Sequence, residues 1–191
     1  MGDKDEVVFR RDSPKFFNKI IRASQMGQAQ MPFVLGITGK SDVGKTTLIL
    51  HLIPELTGRG YKVGTVKNCP HGFDMDRKGK DSYKFSKKGS RGVLLTSPEE
   101  IVFQKRVGQS INILKIVDLF FYDFDIVLVE GFSRERRLKK VEILRKGVSE
   151  QIHSPLDEVI AIVSDVNLRV DKPVFKPDQI SAMVDFLEKI L

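Results

Sequence analysis

The chain has 191 residues, 41% of them hydrophobic, which is enough for one domain with its own core, or one domain with an appendage. Its 32 basic and 25 acidic side chains leave a net charge of +7, which favours polyanionic partners such as nucleotides and phosphorylated cofactors; basic runs are short and lack the interleaved aromatics of a nucleic-acid binder. No run approaches the ~18 apolar residues of a membrane span, no leader pattern is expected in "MGDKDEVVFRRDSPKFF", and the one cysteine, Cys69, excludes an internal disulfide or a multi-cysteine metal cage. A cytoplasmic protein without membrane or nucleic-acid partners is expected.

Residues 1–31 stand apart as an N-terminal extension. Phe16, Phe17, Ile20 and Ile21 make an apolar stripe on a basic helix, suited to packing onto the domain or to docking on a partner or membrane surface. From residue 32 to the C-terminus, short apolar runs alternate with helical patterns, the signature of a parallel sheet with crossover helices. "FVLGI" (33–37) is a first strand. After it, Leu48, Ile49, Leu52, Ile53 and Leu56 recur at helical spacing, and Pro54 is expected to bend or end that helix. "YKVGTV" (61–66) is a second strand, followed by the long polar loop "KNCPHGFDMDRKGKDS". "RGVLLTSPEEIVFQKR" (91–106) predicts a hairpin joined to the sheet or its edge. A mostly buried helix spans Ile111 to Phe121. "DIVLVEG" (125–131), apolar on both faces, is a central strand. "KKVEILRKG" and "DEVIAIVSD" are further strands, and Ile180, Met183, Val184, Leu187 and Ile190 mark a final amphipathic helix.

Between the first strand and the first helix, Gly39 to Thr46 reads G-x-x-x-x-G-K-T, the full phosphate-binding loop pattern. Glycines let successive amides turn toward one anion, and the following helix adds its positive end. The expected nucleotide contacts are therefore Gly39, Lys40, Ser41, Asp42, Val43, Gly44, Lys45, Thr46 and Thr47. Lys45 is expected to reach the outer phosphates as a catalytic group, and Thr46 to set its hydroxyl on Mg²⁺. Glu130, at the end of the central strand, is the expected second magnesium and catalytic group, ahead of Asp125, which opens that strand. Asp74 and Asp76 lie in the long loop, where many nucleotide switches keep a magnesium-binding or water-orienting residue; Asp74 is carried as a catalytic and metal candidate, and His71 as a metal ligand, a base or a solvated side chain. Asp165, just after "EVIAIVS", is a candidate acceptor for guanine N1 and N2. No arginine or glutamine is obviously placed to speed hydrolysis, so turnover is expected to be slow.

With these segments placed, the chain resembles the molybdopterin-guanine dinucleotide biosynthesis protein B family, MobB. The resemblance runs from about Phe33 to the C-terminus. It rests on Gly39, Gly44, Lys45 and Thr46, then Lys67, His71, Asp74, Asp76, Gly79, Lys80, Asp81 and Ser82, and then Glu130, Gly131, Phe132 and Glu142. Three features depart from the pattern: Asn68 and Cys69 stand where histidine is usual, Lys40 and Asp42 replace small residues, and residues 1–31 extend beyond the usual start. A lysine after the first glycine is reminiscent of deviant loops in which it crosses a dimer interface. The resemblance implies an α/β P-loop NTPase fold, with a mostly parallel central sheet flanked by helices and a β-hairpin extension. It implies a GTP- and Mg²⁺-binding homodimer with weak GTPase activity, assisting the guanylyltransferase that joins GMP to molybdopterin. An ATP-dependent small-molecule kinase and a metal-insertion GTPase are the alternatives.

Overall fold

A computed structural model describes residues 5–10 (backbone only), 31–73, 78–108 and 112–191. Contacts gather the chain into two compact units interleaved in sequence. One comprises residues 30–68 and 114–191, the other residues 1–29 and 69–113. Among the described residues no helix is long and apolar enough to cross a membrane. The helix expected around Phe16 to Ile21 lies outside the described residues.

The larger unit is built on a six-stranded parallel sheet. In chain order its strands are β2 (Phe33–Thr38), β3 (Val63–Lys67), β6 (Ile126–Glu130), β7 (Lys139–Leu144), β8 (Val159–Ser164) and β9 (Val174–Phe175). Their spatial order is β3-β6-β2-β7-β8-β9. Ile126, Val127, Leu128 and Val129 are all fully buried, which is what a strand covered on both faces requires. Helices α1 (Lys45–Gly58) and α4 (Ile180–Leu187) bring Leu48, Leu52, Leu56, Met183, Val184 and Leu187 onto Leu35, Ile37, Leu128, Val141 and Val163. A smaller cluster of Leu144, Val159 and Ile162 is covered by Ile152, Leu168 and Val170. After helix α3 (Ile113–Phe120), the rings of Phe121 and Phe124 meet edge to face and fill the space that Gly64 leaves on β3. Arg59, at the end of α1, joins Glu55 to Asp185 of α4 and to Glu188 just after it through contacts of 2.6–3.0 Å.

Pro54 neither ends nor replaces a turn of α1; the helix continues to Gly58. The missing amide would have donated to Leu50, whose residue is 62% exposed, so water is at hand for that carbonyl.

The second unit holds a separate antiparallel sheet of order β1-β5-β4, from β1 (Asp5–Arg10), β4 (Gly92–Thr96) and β5 (Glu100–Lys105). The predicted hairpin is therefore present, but its outer partner is Asp5–Arg10 and not the parallel sheet. Only Val93 of β4 is buried, whereas a strand of a helix-covered parallel sheet is buried on both faces. Helix α2 (Asp81–Lys87) begins inside the segment read as a long loop, with Ser82 buried in its first turn. It is tied to β5 where the Ser86 hydroxyl meets the Gln104 side chain at 3.1 Å, and Arg106 donates to the Ser86 carbonyl at 2.7 Å.

Candidate functional site

The parallel register decides where the chemistry collects. Ile37 pairs with Glu130, Thr38 with Glu142, and Lys67 with Glu130. The C-terminal ends of β2, β3, β6 and β7 thus lie on one edge, the edge at which open α/β sheets bind ligands. Asp125, at the start of β6, is at the opposite edge, where its carboxylate accepts the Lys62 amide at 2.7 Å.

The loop from Gly39 to Gly44 makes its turns with positive φ at Gly39 (+134°), Asp42 (+63°) and Gly44 (+102°). Asp is among the few non-glycine residues that tolerate this region, which explains why an aspartate can stand inside the loop. Val43 is buried in the core beside Gly39 and anchors the loop, while Lys40, Ser41, Asp42, Thr46 and Thr47 are exposed. Helix α1 opens on Lys45 with the Leu48 amide donating to the Gly44 carbonyl at 2.9 Å, so the first-turn amides ahead of Leu48 have no partner within the helix. The Lys45 ammonium folds back over its own loop, donating to the carbonyls of Gly39 (3.1 Å) and Lys40 (2.5 Å).

Thr46 and Glu130 meet: the hydroxyl donates to Glu130 Oε2 at 2.9 Å. Lys67 joins them, its Nζ 3.2 Å from Oε1 and 3.3 Å from Oε2 of Glu130, and 3.5 Å from Thr46 Oγ1. Glu130 is largely enclosed, with 15% of its side chain exposed, against 58% for Lys67. Beside the loop, a cavity of about 270 Å³ is lined by Gly44, Thr47, His51, Arg145, Asp165 and Pro177, among others. Asp165 accepts the Lys146 amide at 2.7 Å through Oδ1.

Glu142 is fully buried and receives the amides of His153 (2.7 Å) and Ser154 (2.9 Å). The Ser154 hydroxyl lies 3.2 Å from that of Thr38, so the 153–154 segment is fastened to the strand end that feeds the phosphate loop. Asp74 and Asp76 lie outside the described residues. Sequence reasoning did not single out Lys67 as a site residue; the available signal was that it ends its strand as Glu130 does.

The family model "Molybdopterin guanine dinucleotide synthesis protein B" matches residues 34–165. The chain belongs to the MobB family. It is 32% identical over 163 residues to the molybdopterin-guanine dinucleotide biosynthesis adapter protein of Haemophilus influenzae, covering 85% of this chain and 90% of that one. With the adapter protein of the same description from Escherichia coli the identity is 31% over 173 residues, covering 84% and 94%. A crystal structure of molybdopterin-guanine biosynthesis protein B superposes with a TM-score of 0.63 at 27% identity, over 83% of this chain and all of the other. The MobB match runs from within β2 to Asp165, so the loop, Lys67, Glu130, Glu142 and all of the cavity lining but Pro177 fall within it.

Proposed function

We propose that this MobB-family chain binds GTP with magnesium in the Gly39–Thr47 loop and hydrolyses it slowly. Its role in this reading is that of an adapter to the guanylyltransferase that joins GMP to molybdopterin, acting as a homodimer. The observation that carries the reading is the meeting of Thr46 and Glu130 at the mouth of a complete phosphate loop. A hydroxyl and a carboxylate are hard oxygen donors, which fit Mg²⁺ and its retained waters. Thr46 would hold the metal directly and Glu130 through water; bound there, it would neutralise charge on the outer phosphates. Lys45 would turn from the loop carbonyls to those phosphates, and the loop amides with the start of α1 would hold the remainder. The cavity beside Thr47 is large enough for a nucleobase, and Asp165 on its wall supports the guanine reading. The adapter role is supported by the names of the relatives from two bacteria.

Thermal unfolding with Mg²⁺ and either GTP or ATP tests this, repeated on Lys45→Ala. A ligand at ~100 times its dissociation constant adds about 2.7 kcal/mol of stability. Stabilisation by GTP well above that by ATP, lost in the variant, is the expected result. Equal or greater stabilisation by ATP removes the guanine reading, and no shift with either removes the nucleotide site.

A further inference from the structure

Lys67 is the cation that already sits on the Thr46–Glu130 pair. It closes β3 directly across the parallel ladder from Glu130, which closes β6. Its ammonium lies within 3.2–3.5 Å of both carboxylate oxygens and of the Thr46 hydroxyl. Lys45 does not share this position, since its ammonium is engaged by the carbonyls of Gly39 and Lys40. A simple exposed ion pair would join two charges and be worth little. Here one ammonium touches both oxygen donors that the magnesium reading needs.

Two consequences follow from charge and reach. A nearly enclosed carboxylate at the mouth of a phosphate loop repels an incoming polyphosphate unless a cation neutralises it. A hydrated divalent ion and an ammonium cannot both sit against the Thr46 hydroxyl and the Glu130 carboxylate. Lysine is a point charge on a flexible four-carbon stem, and this one is 58% exposed, so it can leave the pair without moving β3.

We propose that Lys67 is a tethered counter-ion of the metal pair. It neutralises Glu130 so that a nucleoside triphosphate binds even without metal, and gives up its place to the divalent ion by swinging out to solvent. Lys67 thereby sets how strongly metal and nucleotide binding depend on each other. The inference rests on the nucleotide reading above.

The test is equilibrium binding of a fluorescent GTP analogue to the full chain, in EDTA and across a Mg²⁺ titration, for wild type, Lys67→Met and Lys67→Arg. Binding is read, not turnover. In EDTA, Lys67→Met is expected to lose about tenfold in affinity, because Glu130 is then left to repel the phosphates. At saturating Mg²⁺ it is expected to return close to wild type, with half-saturation at a lower Mg²⁺ concentration, while Lys67→Arg keeps the metal-free affinity. Equal affinities of wild type and Lys67→Met in EDTA, or the same loss with and without Mg²⁺, would overturn the counter-ion role while leaving the nucleotide site standing. Failure of the wild type to bind in either condition would overturn both.

Discussion

A Cβ built on Gly39 would lie 2.7 Å from the Ile143 carbonyl oxygen and 2.9 Å from Val43 Cγ2, at a φ of +134°. The obstacle includes backbone of a central strand, so it cannot swing aside as a long side chain would. Gly44 differs: its φ of +102° is equally foreign to an L-residue, but a Cβ there meets nothing within 4 Å. Gly44→Ala is therefore expected to cost about 1–2 kcal/mol, the conformational term alone. Gly39→Ala is expected to cost more and to displace the loop, losing nucleotide binding as well. Urea unfolding of the two variants, with nucleotide affinity measured alongside, checks the ordering; a Gly44→Ala as damaging as Gly39→Ala would refute it. At this scale the loop was legible because its chemistry demands fixed residue types at fixed spacing. Glu130 was legible because strand ends share an edge. Lys67 was named only among the residues that carry the resemblance and was given no role, because its place opposite Glu130 comes from the β3–β6 register.

Between β6 and β7 the chain returns from one edge of the sheet to the other in residues 131–138, with no helix, passing from a strand on one side of β2 to a strand on the other. Lys140 of β7 holds this crossover. It is fully buried, donates to the Ser133 carbonyl at 2.8 Å and pairs with the buried Glu158, which Arg136 also contacts at 3.1 Å. Hydrogen bonding from Lys140, and less so from Arg136, holds the Glu158 carboxyl below its ordinary value of 4.5 against the opposing effect of burial. Within the crossover, Arg137 likewise lowers Glu135 to about 2. A depressed carboxyl binds protons less readily in the folded state than in the unfolded one. Its stabilisation is complete above pH 4.5 and is lost as pH falls through the lowered folded value. Lys140→Met is therefore expected to be less stable than wild type at pH 7 and to show a shallower loss on acidification, since Glu158 then keeps only Arg136. Urea midpoints at pH 7 and pH 4 for both proteins decide this, and parallel losses in the two would count against it. Sequence reading found both strands but assigned Lys140 no place in the core; that it is enclosed depends on Gly36 of β2, where a Cβ would press on its stem at 3.3 Å. Likewise the hairpin was legible from its turn, whereas its partner β1 lies some ninety residues earlier and is fixed only by long-range pairing.

The two compact units each take two stretches of chain, and all of the proposed nucleotide groups that the structure describes belong to one of them, residues 30–68 and 114–191. A chain-long reading from residue 32 could not separate these units, because no linker composition marks a boundary that the chain crosses several times. The arrangement gives the nucleotide proposal a signature in hydrogen exchange. Amides protected by Mg²⁺ and GTP are expected in four stretches: 36–52, from the loop and α1; 126–131, through Glu130; and 143–146 and 163–165, around the cavity. Loop protection follows from phosphates held by backbone amides, and cavity protection from an enclosed base, so the two parts are separable. Pyrophosphate with Mg²⁺ is expected to protect 36–52 and 126–131 and to leave 143–146 and 163–165 at their free rates. Identical maps for pyrophosphate and GTP would mean that the cavity does not hold the base, and Asp165 would lose its role. A GTP map without protection at 126–131 would separate Glu130 from the metal, and with it the position that Lys67 is proposed to share.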